Sequence, residues 1–353
     1  MNVNSRHCIP CCYHPTTPLL VDDEDEYLQG LVRLLNNIPK PYLYTNPAEA
    51  LKFIQKKYRP TINPAGWSSH LKNTDVDLNH LDDHEHALID IDVSQIHQQV
   101  YNPNRFKEIA VAIVDYAMPQ LTGLEFFEKT TPYAFQKLLL TGQASHQLGL
   151  EAFNTGTIHK FVEKNLDISL SPTKTLKTFK EKINVAFREL EKRYFQTLSE
   201  NILGLLANST HSALGEPIFT DIFNRTIRHN HIVEYYLVSE SGCFLLLDAE
   251  GNKSWLIAKS ETEMNYFYTS ARDNEAPEKI VSPLEKRTMA PFLFSQTDFN
   301  EVPHTEWDRY FHPVEKFIGN KNTFYYAYAK NKSIYDQQLK TIVSYKDFLA
   351  SQS

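Results

Sequence analysis

Five side chains with chemical capacity stand at the ends of short apolar runs. Asp22 and Asp23 follow Leu19-Leu20-Val21, Asp115 follows the run from Ile109 to Val114, Thr141 follows Leu138-Leu139-Leu140, and Lys164 follows Phe161-Val162-Glu163. Taken singly, each has an ordinary structural use. A strand-end Asp caps the next turn through its own backbone amides, an acidic pair suits a helix N-terminus, Thr141 is a strand-end cap and Lys164 a solvated tip. Taken together on neighbouring strands, they would place three carboxylates in one crevice. Two carboxylates ~4 Å apart repel by about 1 kcal/mol in water and about 4 kcal/mol at an effective dielectric constant of 20. Such a cluster takes up a proton or holds a hard, oxygen-preferring cation such as Mg²⁺ that keeps all three ionised. A carboxylate nucleophile can accept a phosphoryl group as an acyl phosphate, whose oxygens need metal, ammonium and hydroxyl neighbours. That chemistry uses all five residues, whereas capping explains them only one at a time.

The elements that would position these residues alternate. From Pro18 come the strand LLV, an acidic-headed helix to about Asn37, a PYLYT strand and a helix from about Pro47 to Tyr58. Further on lie the Ile109 to Val114 strand, a helix near Leu124 to Lys129, KLLLT, a helix near Ser145 to Asn154, and IHKFV. The run at Ile109 is apolar throughout and rich in β-branched residues, as in a strand buried on both faces. Five such strands separated by helices predict a doubly wound parallel sheet, whose ligands bind beyond the carboxyl ends of the strands.

The interval from about Arg59 to Arg105 breaks the alternation with Pro60, Pro64, Gly66 and NHLDDHEHALIDID. It reads as an insertion, partly ordered or functional given its length, with a short helix around Ser94 to Val100. Ser171 as N-cap and Pro172 at the first helical position open a long helix. Its apolar residues from Leu176 through Phe187 and Tyr194 to Leu205 recur about every 3.6 residues, the spacing of a straight helix. Roughly 35 residues reach about 50 Å, so its far half packs on a second domain or on a second copy of the chain. Beyond Ala207, EYYLV, CFLLLD and SWLIAK read as an antiparallel meander. Ser260-Glu261-Thr262-Glu263 is a capping box opening a helix to about Ala271. A less regular stretch with Pro277, Pro283, Pro291 and Pro303 precedes the strand TFYYAYA, and a final helix is expected near Ile334 to Leu349. This half predicts a small α+β domain.

Composition sets the class. The chain has 353 residues, 42% hydrophobic content, a formal charge of -7 and a mean hydropathy of -0.42, as expected for a water-soluble protein of about two domains. No apolar run approaches the ~18 residues of a membrane span, and the N-terminus lacks a signal-peptide pattern; the cytoplasm is the expected compartment. Only Cys8, Cys11, Cys12 and Cys243 occur, too few and too clustered for a disulfide framework. The acidic balance disfavours the broad electrostatic footprint of nucleic-acid binding.

Residues 18 to about 170 resemble the receiver domain of two-component response regulators. The resemblance rests on the acidic pair Asp22 and Asp23, on Asp115 followed by Met118-Pro119 and Gly123, on Thr141, and on Lys164 three positions after Phe161. It implies a flavodoxin-like fold, phosphorylation of Asp115 by a sensor histidine kinase, and Mg²⁺ held by Asp23, Asp115 and the Ala117 carbonyl with Asp22 assisting. It also implies that Thr141 moves toward the phosphate while Phe161 turns inward, and that Lys164 pairs with the phosphoryl group. The Pro that usually follows this Lys is Asn165 here, and the 59–105 insertion has no counterpart in a minimal receiver. The whole-chain layout is also similar to Lqs-type quorum-sensing response regulators.

The expected organisation is therefore a flexible tail over 1–17, a receiver over 18–170, a long linker helix over 171–207 and an α+β output domain over 208–353. The output is expected to be noncatalytic, to control dimerisation on phosphorylation or the binding of an unidentified partner, and to carry no enzymatic signature. The alternative is a transcription regulator with an atypical output. Against it, the chain from Asn208 onward has 15 Lys and Arg to 19 Asp and Glu, a poor balance for a nucleic-acid face.

Two His-rich clusters offer metal ligands. His7, Cys8, Cys11, Cys12 and His14 are too close together for a two-knuckle zinc site, and His80, His84 and His86 lie in a polar insertion. Tail and solvated loop are the competing readings. Tyr235, Tyr236, Phe244, Trp255, Tyr325, Tyr326 and Tyr328 fall in predicted strands, where core packing competes with a ligand-stacking face.

Overall fold

The apolar runs expected to form a parallel sheet do so in the computed structural model, which describes residues 9–70, 89–142, 146–164, 172–294, 302–320, 322–331 and 333–352. The chain begins with β1 (Cys12–Tyr13), β2 (Leu19–Val21), α1 (Asp25–Leu34), β3 (Tyr42–Tyr44) and α2 (Pro47–Lys56). It passes through β4 (Ser68–His70), β5 (Ile89–Ile91) and α3 (Val93–His97). Next come β6 (Val111–Asp115), α4 (Gly123–Lys129), β7 (Gln136–Thr141), α5 (His146–Asn154) and β8 (Lys160–Glu163). The 35-residue α6 (Pro172–Leu206) leads to α7 (Pro217–His229), β9 (Ile232–Leu237), β10 (Phe244–Asp248), β11 (Lys253–Ser260), α8 (Glu261–Asp273) and α9 (Glu278–Glu285). Strands β12 (Met289–Pro291), β13 (Phe311–Pro313), β14 (Glu315–Ile318) and β15 (Thr323–Lys330) precede α10 (Ser333–Asp336) and α11 (Tyr345–Ala350). No helix among the described residues is long and apolar enough to cross a membrane.

One compact unit comprises 15–62, 104–197 and 348–353. Its five-stranded sheet has the order β3-β2-β6-β7-β8, parallel throughout, the order of doubly wound sheets of the flavodoxin type. β6 and β7 are buried along their whole length, which is why Val111 to Val114 and Leu138 to Leu140 read as unbroken apolar runs rather than alternating ones, while Gln136 and Lys137 open β7 as buried polar residues. The core partners of the two strands include Ala50 and Ile54 of α2 and Phe126 and Phe127 of α4. Local chemistry starts the helices: Asn46 Oδ1 accepts from the amides of Ala48 and Glu49, and Thr122 with Glu125 forms a capping box. Residues 172–197 of α6 belong to this unit. They are tied by the Asn184 amide, which donates to the Leu34 carbonyl at 2.8 Å, and by Glu191, which accepts from the Thr16 hydroxyl at 2.6 Å.

The other unit comprises 1–14, 63–103 and 198–347. Its six-stranded sheet runs β1-β9-β10-β11-β15-β14, with antiparallel pairing throughout, and includes the expected meander β9-β10-β11. The capping box at Ser260 and Glu263 opens α8 as predicted.

Several expectations are corrected. The tail expected over 1–17 is structured where described. Ile9, Cys11, Cys12 and His14 are buried, and β1 adds to the sheet edge through Cys12↔Tyr236 and Tyr13↔Tyr235. Two residues carry too little pattern to announce a strand, whose existence depends on a distant edge. The 59–105 segment does interrupt the parallel unit between α2 and β6, but 63–103 folds with the antiparallel one, where His97 meets the Phe294 ring at 5.3 Å. Its short helix is α3 with a 3₁₀ turn over Gln98–Tyr101. The final helix is two, α10 and α11. The β-branched run Thr341-Ile342-Val343 separates them, and Ser344 caps the second by accepting from the Asp347 amide at 3.0 Å. Helices α7 and α9 were not anticipated. Asn165, Ser171, His80, His84, His86, His7 and Cys8 lie outside the described residues, as does the acidic run from Asp82 to Glu85.

Candidate functional site

The register of the parallel sheet assembles the site. Leu20 pairs with Ile113 and Val21 with Val114, so the residues after β2 and at the end of β6 are Asp22 and Asp115 on adjacent strands. Oxygens of Asp22, Asp23 and Asp115 all lie within 4.8 Å of one another. Asp22 is 1% and Asp115 5% exposed, while Asp23 is exposed. Across the sheet, the Lys164 amide donates to the Thr141 carbonyl at 2.7 Å, which brings the end of β8 against the end of β7. From there the Lys164 ammonium reaches Asp22 Oδ2 at 2.6 Å and Asp115 Oδ1 at 2.9 Å.

The charge balance of this cluster is incomplete. Burial pushes the Asp22 carboxyl above its ordinary range, and the Lys164 ammonium and Glu24 amide pull it back only in part. For Lys164, burial works against the charge, yet its hydrogen bonds and ion pairs with Asp22 and Asp115 outweigh burial and hold the ammonium above its ordinary range. Burial governs Asp22, and pairing governs Lys164. Ionised Asp22 therefore weakens the fold as pH rises through its raised value, a cost that a bound cation removes. Three carboxylates, two of them buried, against one ammonium form an all-oxygen donor set suited to Mg²⁺. We expect Mg²⁺ to raise the thermal midpoint at pH 7 by several degrees and Asp23→Asn to abolish most of that shift. Equal shifts in both proteins by calorimetry would contradict this.

Other positions have plain structural roles around the site. The Ala117 amide donates to Asp115 Oδ2 at 3.1 Å, so Asp115 does cap its own turn while its other oxygen faces Lys164. A Cβ at Gly123 would overlap the Asp115 carbonyl oxygen and come within 2.8 Å of Leu139 Cδ1; only glycine lets α4 begin so close to the main chain at the end of β6. Thr141 is fully buried and its hydroxyl has no hydrogen-bond partner among the described residues. Phe161 is partly buried, with the His146 ring 5.4 Å and the Phe153 ring 6.5 Å away, both edge-on.

Tyr27 was missed by sequence reasoning. The Lys164 ammonium lies 4.2 Å from its ring centroid, within cation–π range, and the Tyr27 hydroxyl is buried without a partner among the described residues. Burial, reinforced by the charges of Asp22, Asp115 and Glu24, pushes that hydroxyl's pKa up. Nothing in the spacing of an aromatic shortly after Asp22 announces this role. Among the described residues, Asp22, Asp23 and Asp115 form the one candidate metal group, which includes none of Cys11, Cys12 and His14; His7 and Cys8 lie outside the described residues. The Cys11 amide donates to Ser199 Oγ at 2.9 Å, and burial pushes the Cys11 thiol up to about 12.

No protein-family model and no curated protein matches the chain. Among solved structures, the response regulator LqsR of Legionella pneumophila is 30% identical, over 98% of this chain and 96% of its own, with a TM-score of 0.72. An adenylate cyclase from Rhodopirellula baltica is 21% identical over 55% of this chain and 99% of its own, with a TM-score of 0.34. A signal receiver domain of an HD domain-containing protein from Pseudomonas fluorescens Pf-5 is 17% identical over 51% and 97%, with a TM-score of 0.30. The last two are too distant to bear on function.

Proposed function

Because the chain belongs to the response regulators, we propose that it is switched by phosphoryl transfer from a sensor histidine kinase to Asp115. A carboxylate oxygen of Asp115 attacks the phosphorus of a phosphohistidine and a P–O bond forms. The P–N bond breaks with its electron pair left on the imidazole nitrogen, which takes up a proton. The observation that carries this reading is the Lys164 ammonium set between Asp22 and Asp115 at 2.6 and 2.9 Å. It pre-places a cation where the charge of the transferred group would gather. Mg²⁺ fits beside it, held by Asp23, Asp115 and the Ala117 carbonyl with Asp22 assisting, and when bound would offset charge on the phosphoryl oxygens.

The acyl phosphate offers the orphaned Thr141 hydroxyl an acceptor. Movement of Thr141 vacates space beside it, and Phe161, only partly buried, turns inward. Gly149 keeps α5 close to both: a Cβ there would stand 3.2 Å from Thr141 Cγ2 and 3.5 Å from Phe161 Cγ, so displacement of either side chain is felt by the helix. The phosphate acts by population shift, favouring one packing of α6 over another, and the antiparallel unit reads the change as altered dimerisation or partner binding without catalysis. Likeness to LqsR across nearly the whole chain supports assigning both units to one regulator, and the Lqs-type layout points to quorum-sensing input.

The test uses acetyl phosphate with Mg²⁺. The full chain gains one phosphoryl group by intact mass, loses it to hydroxylamine, and changes its dimer fraction by light scattering. Asp115→Asn does neither. Labelling or dimer response in Asp115→Asn equal to that of the natural chain would overturn the assignment.

A further inference from the structure

The antiparallel unit has a groove that this switching does not use. Phe324, Tyr326 and Tyr328 are alternate residues of β15 and share one face of the sheet. On that face α7 is pinned by Phe219, which stacks on Phe317 at 6.0 Å; Phe317 in turn stacks on Phe324 at 5.2 Å. Further along α7 lies a groove of about 640 Å³, lined by Ile222, Arg225, Arg228 and His229 of the helix and by Tyr326 and Tyr328 of the strand. Arg225, Arg228 and His229 fall three and four residues apart, on one flank of the helix.

The lining is cationic and aromatic. No carboxylate among the described residues lines the groove, and neither guanidinium forms an ion pair there with a described carboxylate. Glu315, the acid nearby, accepts the Tyr326 hydroxyl at 2.5 Å. Basic residues at a helix C-terminus ordinarily complement the helix dipole, but that dipole amounts to about half a charge, less than two guanidiniums carry. The Tyr328 hydroxyl is buried with no hydrogen-bond partner among the described residues, and the Lys330 ammonium sits 5.4 Å from the centroid of its ring. Guanidiniums bind phosphate oxygens in bidentate fashion, tyrosine rings stack on flat heterocycles, and the volume is that of a small-molecule site.

We propose that this groove binds a nucleotide: Arg225 and Arg228 hold the phosphate, Tyr326 and Tyr328 face the base, and the Tyr328 hydroxyl donates to a ligand oxygen. The ligand is a small molecule rather than a nucleic-acid strand, because the chain from Asn208 onward is acidic overall, 15 basic residues to 19 acidic ones. Its binding is independent of Asp115.

Calorimetric titration of the full chain with AMP, ADP, GMP and GDP, with adenosine and inorganic phosphate as controls, tests the proposal. At least one nucleotide is expected to bind saturably and about tenfold or more tighter than either control. The double substitution Arg225→Gln with Arg228→Gln lowers that affinity about tenfold or more. Tyr328→Phe weakens it several-fold without lowering the thermal midpoint, which separates ligand contact from a packing role. Asp115→Asn leaves the affinity unchanged, so failure here and failure of phosphorylation are read separately. Four results would each overturn the proposal: no binding by any of the four nucleotides, unchanged binding by the double variant, inorganic phosphate binding as tightly as a nucleotide, or binding only by a single-stranded RNA oligomer.

Discussion

Lys164→Met is expected to tighten Mg²⁺ binding by about tenfold while abolishing the phosphorylation-dependent change in dimer fraction. Methionine keeps much of the length and packing of the stem but removes the ammonium that bridges Asp22 and Asp115 at 2.6 and 2.9 Å. Without it, a 1% exposed and a 5% exposed carboxylate face each other with no partner charge. Unit charges ~4 Å apart repel by about 4 kcal/mol at an effective dielectric constant of 20, of which a divalent ion recovers a share. The proton competes for the same relief, so Asp22 titrates still higher in the variant and the gain in Mg²⁺ affinity shrinks as pH falls toward that value. The phosphorylated state loses the cation that would pair with its oxygens, so Thr141 and Phe161 are no longer drawn into the second arrangement. Magnesium titration by calorimetry and light scattering with acetyl phosphate read the two effects. Weaker Mg²⁺ binding, or an intact dimer response, would refute this account of Lys164.

Glu108→Ala is expected to cost about 3–5 kcal/mol of stability, among the largest losses any single substitution in the parallel unit should cause. Glu108 is fully buried. Its Oε1 accepts the hydroxyls of Tyr58 at 2.8 Å and Tyr194 at 2.6 Å, and its Oε2 accepts the Thr61 hydroxyl at 2.6 Å and the Thr61 amide. Alanine would remove the buried acceptor these donors share, and would release the tie through Glu108 between Tyr194 of α6 and the chain that follows α2. Urea denaturation followed by circular dichroism measures the loss. Glu108→Gln is the informative companion: it keeps one acceptor oxygen but presents an NH₂ to donors, so it should be destabilised too, by less. A loss below about 1 kcal/mol in the alanine variant would show that the network relaxes around the gap.

Neither Glu108 nor Tyr27 was legible beforehand, and the reason is common to both. A buried acceptor or a cation–π partner is defined by what reaches it from elsewhere: Tyr194 is 86 positions from Glu108, and Lys164 is far along the chain from Tyr27. Neither residue breaks a local pattern. The helix α7 is a different case, because Pro217 at its start and Phe219, Ile222 and Phe223 on one face were present to be read. The tail and the 63–103 segment were misplaced since their partners, the β9 edge and the antiparallel unit, are chosen by long-range pairing that local composition does not encode.

What the sequence determined by itself is the parallel sheet and the strand-end places of Asp22, Asp23, Asp115, Thr141 and Lys164. Strands buried on both faces are largely apolar, so their carboxyl ends, and the polar residues that close them, are written locally in Ile109 to Asp115, Leu138 to Thr141 and Leu19 to Asp23. What only the tertiary structure decided is which groups are left without partners and which are shared: Lys164 divided between two buried carboxylates, the idle hydroxyls of Thr141 and Tyr27, and the cationic groove between α7 and β15. Satisfaction of a polar group depends on every element that approaches it, and that sum exists only once the chain has folded.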